Sequence, residues 1–285
     1  MSRPSFVLFA QNYLSALLSN FGTVFLNEPI PRNPKLRVYK HPSRSGWEGD
    51  YLKAVLGDSA HISISPEIIG EAELVDVLFE PDPTKSRATL GVLDTLTSVP
   101  CIIHTFHSPP EADDILDLIR NWLCWYAEDN GSIVPLDVSS RLEDDDRERP
   151  DPIDSNKAQI IIFPTVKIFK QYKLLRGFGG KRSPKKIPGV YCLPPGLFNI
   201  ALVFTHLLPV DTSTLWLRLL GRGEIQKQAI IELVNSDTDD LLYTLARQQL
   251  REWYQVLLQD QRGQESPDLM QALALVDGSN QPGFS

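Results

Sequence analysis

Glu73-Leu-Val-Asp-Val-Leu-Phe-Glu-Pro-Asp-Pro83 is an apolar run rich in branched side chains and closed by a Pro-Asp-Pro turn, so it reads as a β-strand. It carries one acid in its interior, Asp76, on the face shared by Leu74 and Leu78, and an acid between leucines on a strand needs a partner. Downstream, Leu90 to Leu96 predicts a short helical turn and Cys101-Ile-Ile-His-Thr-Phe-His107 a second strand. Ser108-Pro-Pro-Glu111 then starts a helix, because the Ser108 side chain can accept from the third helical amide while Glu111 reaches back. The stripe Ile115, Leu118, Ile119, Trp122, Leu123 and Tyr126 gives that helix a buried face. Gln159-Ile-Ile-Ile-Phe-Pro164, Gly189-Val-Tyr-Cys-Leu193 and Asn199-Ile-Ala-Leu-Val-Phe-Thr-His206 are further strands, the first and last apolar enough to be central in a sheet.

Upstream, Ser5 followed by Phe6, Phe9, Tyr13, Leu14, Leu17 and Leu18 predicts a first helix, and Phe21-Gly-Thr-Val-Phe-Leu-Asn-Glu28 a strand. Residues 31–71, rich in Pro, Gly, Ser and Lys, read as an insertion with a possible short strand at His61-Ile-Ser-Ile-Ser65. Residues 129–157 are polar and read as a loop. Beyond Pro209 only helices are predicted: one within Thr214–Gly223 that ends at its glycines, one over Glu224–Asn235, and one opening at Thr238 with Leu242, Leu245, Ala246, Gln249, Trp253 and Leu257 at helical spacing. After Gly263 the chain reads as a frayed tail. The fold class is therefore α/β or α+β, a mixed central sheet flanked by helices. Its expected organisation is a domain over 1–210, a C-terminal helical appendage over 211–262 and a flexible tail over 263–285.

The 285 residues are 42% hydrophobic and 22% charged, enough for a sizeable core. No run approaches the roughly 18 apolar residues of a membrane span, and Met1-Ser-Arg-Pro-Ser-Phe6 lacks a leader's apolar core, so no membrane partner and a cytoplasmic location are expected. The three cysteines, Cys101, Cys124 and Cys192, are too widely spaced for a zinc or redox pair and read as reduced core residues. The net charge of −8 argues against a dedicated nucleic-acid coat, so any such contact must be local. Charge is also segregated. Residues 143–151 form an acidic block, whereas no Asp or Glu occurs from Asn156 to Val210, where nine Lys and Arg residues lie. A solvated basic surface and a polyanion-binding patch are equally good explanations.

Three stretches carry a resemblance to a known superfamily: Glu73–Pro83; Val99-Pro-Cys-Ile-Ile-His-Thr-Phe-His-Ser-Pro-Pro110; and Thr214-Leu-Trp-Leu-Arg-Leu-Leu-Gly-Arg-Gly223 with the Gln226–Leu233 helix after it. With the order helix, three strands, helix, strand, they resemble the PD-(D/E)XK nuclease-like superfamily, and within it uncharacterised bacterial proteins related to recombination-promoting, transposase-like nucleases. The likeness spans most of residues 1–260 and implies a sheet of restriction-endonuclease-like type. It also implies a phosphodiester-cutting site that holds Mg2+ or Mn2+ on acids from neighbouring strands, with a lysine two residues after the second acid. Asp76 falls at the first acid and is the implied metal ligand. The second acid's place holds His104, the lysine's place holds Phe106, and the place where relatives tend to carry an acid on the first helix holds Val7. The resemblance thus implies a degenerate site centred on Asp76 and His104 that either binds DNA with no metal retained or cuts it weakly with Mg2+ or Mn2+, the first being preferred.

Other constellations are weaker. His104-Thr-Phe-His107 has an odd spacing that sends the two rings to opposite strand faces, so a shared metal is disfavoured. An Asp76–His104 hydrogen bond between neighbouring strands is preferred to a manganese or zinc site. Gly177-Phe-Gly-Gly-Lys-Arg-Ser183 lacks the spacing of a phosphate loop and leads to a strand, but with Lys185 and Lys186 it can contact phosphates. Lys181, Arg182, Lys185 and Lys186 are accordingly the candidate DNA-binding residues. His206 and the tryptophans at 122, 125, 216 and 253 read as core. The competing reading is an inactive scaffold that docks a protein partner or a second copy of itself through the Leu242–Leu257 stripe.

Overall fold

The computed structural model describes residues 5–30, 73–106, 108, 110, 112–130, 157–164, 174–183, 185–193, 199–236, 238, 240–259 and 266–277. The 31–71 insertion with its possible strand, the acidic block and most of the 129–157 loop lie outside the described residues. In chain order the elements are α1 (Ser5–Leu18), β1 (Gly22–Ile30), β2 (Glu73–Pro81), α2 (Val92–Leu96), β3 (Cys101–Thr105), α3 (Ala112–Asn130), β4 (Ala158–Phe163), β5 (Lys181–Arg182), β6 (Val190–Cys192), β7 (Ile200–Phe204), α4 (Leu215–Arg218), α5 (Glu224–Val234), α6 (Leu241–Gln259) and α7 (Pro267–Asp277). The chain divides into two compact units, the first made of Met1–Glu28, Leu74–Asp117 and Arg149–Ser285, the second of Pro29–Glu73 and Leu118–Glu148. In the second unit the later turns of α3 bury Leu118, Asn121, Trp122 and Trp125.

The strands form one mixed sheet in the order β1-β2-β3-β4-β7-β6-β5. β2 runs antiparallel to β3, β3, β4 and β7 are mutually parallel neighbours, and β6 and β5 return antiparallel. Every residue of β3 and β4 is buried, as expected of parallel strands covered on both faces. The two runs read as central, at 159–164 and 199–206, supply β4 and β7, which pair in the middle of the sheet. β7 stops at Phe204, and Thr205–Leu207 turn into a 3-10 helix, so His206 leaves the strand. Gly91, at φ 58°, packs its backbone against Ser213, where a side chain's Cβ would collide with the Ser213 carbonyl. That contact sets α2 against the turn that precedes α4.

Strand alternation sends Val77, Phe79, Cys101, Ile103, Ile160, Ile162, Val190 and Val203 into one hydrophobic cluster. The same cluster contains α1 residues Phe6, Phe9, Tyr13, Leu14 and Leu17 and residues of α4 to α7. Phe9 stacks on Trp253 (4.3 Å, 13°), Phe6 meets the same indole edge-on, and the Tyr13 hydroxyl donates to the Trp216 carbonyl (3.1 Å). The helices after residue 210, expected as an appendage, share this one cluster with α1 and the sheet. Leu242, Ala246, Leu250, Trp253 and Leu257 are the buried face of α6 within the chain's own core, so that stripe is not a surface offered to a partner.

The tail differs as well. Pro267–Asp277 is helical and buries Leu269, Ala272, Leu273, Ala274 and Val276. Arg218, fully buried, binds α4 to its surroundings through the Thr214 hydroxyl, the Asp211 carbonyl and Glu232 of α5. Among the described residues no helix is long and apolar enough to cross a membrane.

Candidate functional site

The β2–β3 register pairs Val77 with Ile103, and one further step places Asp76 opposite His104. Both lie on the sheet face opposite the cluster that holds Val77 and Ile103. His104 is buried and Asp76 nearly so, and Nδ1 stands 3.8 Å from Oδ2. The sequence thus brings the two expected site residues together, but 3.8 Å is beyond hydrogen-bonding reach, which corrects the expected Asp–His hydrogen bond. Asp76 takes other donors instead. Its Oδ2 accepts from the Thr105 amide (3.3 Å) and its Oδ1 from Gln11 Nε2 (3.2 Å). His104 Nε2 is buried with no hydrogen-bond partner among the described residues.

Gln11 and Asn27 are residues that the sequence reading missed. Gln11 is 2% exposed, and its Nε2 also lies 3.3 Å from the Asp76 carbonyl and 3.2 Å from Asn27 Oδ1. Three oxygens therefore converge on one amide nitrogen. Asn27 reaches this position because its backbone is left-handed, at φ 56°, a conformation that asparagine tolerates and that interrupts the regular course of β1. A signal for Gln11 existed. It follows Val7 by one helical turn, on the flank of the apolar stripe, and a glutamine there that becomes almost wholly buried must satisfy its amide.

The donor set decides whether the implied Mg2+ or Mn2+ fits. Those ions take several hard oxygen ligands, with carboxylates foremost. Here one carboxylate is present, its oxygens already accept from amide N–H groups, and its neighbour is an imidazole. Among the described residues no group of three or more His, Cys, Asp and Glu is arranged to hold a metal. The residues present do not fit the implied ion, and no hydrolytic step is derived through it. Phe106, at the lysine's place, lies parallel to the buried Phe163 (5.8 Å, 4°), and Val7 is half-buried on α1. His107 lies outside the described residues.

The basic candidates lie elsewhere. Lys181 and Arg182 form β5, at the far edge of the sheet and five strand spacings from β2, on the order of 24 Å. Their side chains point to opposite faces, and the loop expected at 181–186 is the first half of a hairpin: Lys181 pairs with Cys192 and Arg182 with Tyr191. Lys185 and Lys186 are exposed in its turn. Because Lys181 begins a strand, no helix start is available to cradle a phosphate. Trp122, Trp125, Trp216 and Trp253 are buried, as core residues are. His206 is half-buried, edge-on to Phe204 (6.2 Å, 84°), and burial lowers its pKa. Cys101 and Cys192 are free thiols whose pKa values burial raises. No family model, no curated protein and no solved structure matches this chain.

Proposed function

We propose that this chain is a nuclease-like protein of the PD-(D/E)XK kind whose metal site has become a hydrogen-bonded link, and that it engages DNA through the basic β5 hairpin. The observation that carries the reading is the state of Asp76. Its carboxylate is held by the Gln11 amide and the Thr105 N–H, beside a histidine on the neighbouring strand. The order α1, β1, β2, β3, α3, β4, with the short helix α2 inserted between β2 and β3 and with β4 parallel to β3, supports the ancestry. Such a carboxylate fastens α1 to β2 and β3 and leaves little for a cation. The exposed lysines and arginine at the other sheet edge supply the charge that phosphates require.

The test is cleavage of plasmid and single-stranded DNA with Mg2+, Mn2+ or chelator, run with a mobility-shift assay at low salt. The expected result is no metal-dependent cutting by the wild type, together with binding that is lost in a Lys181→Ala/Arg182→Ala/Lys185→Ala/Lys186→Ala variant of unchanged circular dichroism. Metal-dependent cutting that disappears in Asp76→Ala would overturn the retired-site reading, and absence of any shift would overturn DNA binding.

A further inference from the structure

We infer that the β5–β6 hairpin is a binding site for single-stranded nucleic acid, in which Tyr191 stacks on a base and the surrounding cations hold the phosphates; this rests on the DNA-binding reading above and names its substrate class. Arg182 and Tyr191 are directly opposed on antiparallel strands, so their side chains share one face with Cβ atoms roughly 5 Å apart. Tyr191 is partly exposed, and its ring meets Phe204 edge-on (5.6 Å, 82°). Phe204 is itself fully buried and stacked on Phe163 (4.8 Å). The tyrosine is therefore oriented before any ligand arrives, which lowers the entropy cost of stacking.

The hairpin that carries it is equally ordered. The Ser183 amide donates to Val190 (3.1 Å), the Lys186 amide donates to Ser183 (2.7 Å), and Lys186 sits at φ 53°. A merely solubilising loop needs no such definition.

Its charge meets no acidic partner among the described residues. Arg176, Lys181, Arg182 and Lys186 are exposed and make no ion pair among the described residues, and Lys185 donates to the neutral Thr95 hydroxyl (3.3 Å). The sequence places no Asp or Glu between Asn156 and Val210, in a chain of net charge −8. Like charges gathered without counter-charge repel one another, and an anion that spans them relieves the repulsion. A single strand matches both features, since it carries a phosphate per residue and offers base faces to an aromatic ring. A duplex keeps its bases stacked inside and presents grooves that a two-residue edge strand does not fill.

Fluorescence anisotropy of the full chain with a labelled twenty-residue oligothymidine and with a duplex of the same length tests this. The single strand is expected to bind at least about tenfold more tightly than the duplex. Tyr191→Leu, which keeps an apolar side chain at that strand position, is expected to weaken the single strand about tenfold with the salt slope unchanged. Lys181→Ala/Lys186→Ala is expected to make that slope shallower, by about 0.7 for each phosphate that is no longer neutralised. Equal or tighter duplex binding, or a Tyr191→Leu variant that melts like the wild type and binds like it, would overturn the stacking site and leave DNA binding by charge alone. Binding of neither oligonucleotide would overturn both readings.

Discussion

Gln11 Nε2 has two hydrogens and three oxygens within 3.3 Å, so the oxygens around it form a cage that favours positive charge. Removing the amide with Gln11→Ala takes away the hydrogen bonds that Gln11 donates and should cost about 1–3 kcal/mol. Gln11→Glu keeps the shape but adds a second carboxylate, 2% exposed at that position, beside the first. It should destabilise more than alanine at pH 7. The sign of its pH dependence follows: paired carboxylates raise a pKa in the folded state, which then binds more protons than the unfolded chain, so Gln11→Glu regains stability as pH falls towards 4. Urea midpoints at pH 7 and 4.5 check this, and a Gln11→Glu midpoint equal to wild type would refute the cage. His206 predicts the opposite slope. Burial lowers its pKa, so below about pH 6.5 the unfolded chain takes up a proton that the folded one resists, and stability is lost on acidification. The wild type should lose more stability than His206→Asn between pH 7.5 and 5.5. Asp76 and His104 were legible because strand alternation and neighbouring strands place them together. The place of Gln11 on the flank of the apolar stripe was a signal of burial, but its partner was not legible, nor was Asn27, because which helix flank meets which strand, and where β1 turns left-handed, depend on tertiary contacts.

Among the elements, strong local patterns translated directly. The apolar runs became β2, β3, β4, β6 and β7, and the stripe at Leu242, Ala246, Trp253 and Leu257 became the inward face of α6. Two elements escaped for different reasons. β5 is two charged residues long, and only pairing with Tyr191 and Cys192 makes it a strand. The last helix had a legible start, Ser266-Pro-Asp268 ahead of Leu269, Ala272, Leu273 and Val276, and the Ser266 hydroxyl does accept from the Leu269 amide (3.3 Å). The surrounding Gly, Ser and Gln residues outweighed that signal. Leu273 and Leu275 now separate a packed helix from a frayed tail. Leu273 is fully buried and Leu275 is 39% exposed, so Leu273→Ala should cost about 2–5 kcal/mol and Leu275→Ala less than about 0.5 kcal/mol in chemical denaturation. Equal small effects would restore the frayed tail.

At the scale of the whole molecule, the first unit is assembled from three separated segments, and its helical layer comes from both ends of the chain. Phe6 and Phe9 of α1 pack on Trp253 of α6, across nearly the full length of the sequence. Local composition changes at Pro209, where strands give way to helices, and a boundary drawn there follows chemistry that is real but does not coincide with a gap in the core. A fragment of residues 1–210 tests the difference. It retains the whole sheet and α1 but exposes the partners of α4 to α7, among them Phe9, Leu14, Val77, Ile103 and Ile160, all of which belong to one cluster with Trp216, Leu250 and Leu273. Burying such side chains contributes about 1.5–3 kcal/mol each, and a domain's net stability is only about 5–15 kcal/mol, so the fragment has no margin for the loss. It should show no cooperative urea transition and little near-ultraviolet dichroism, and it should bind a hydrophobic dye, whereas the full chain unfolds cooperatively. A fragment that unfolds in one sharp transition near the full chain's midpoint would mean that the C-terminal helices rest on a finished domain.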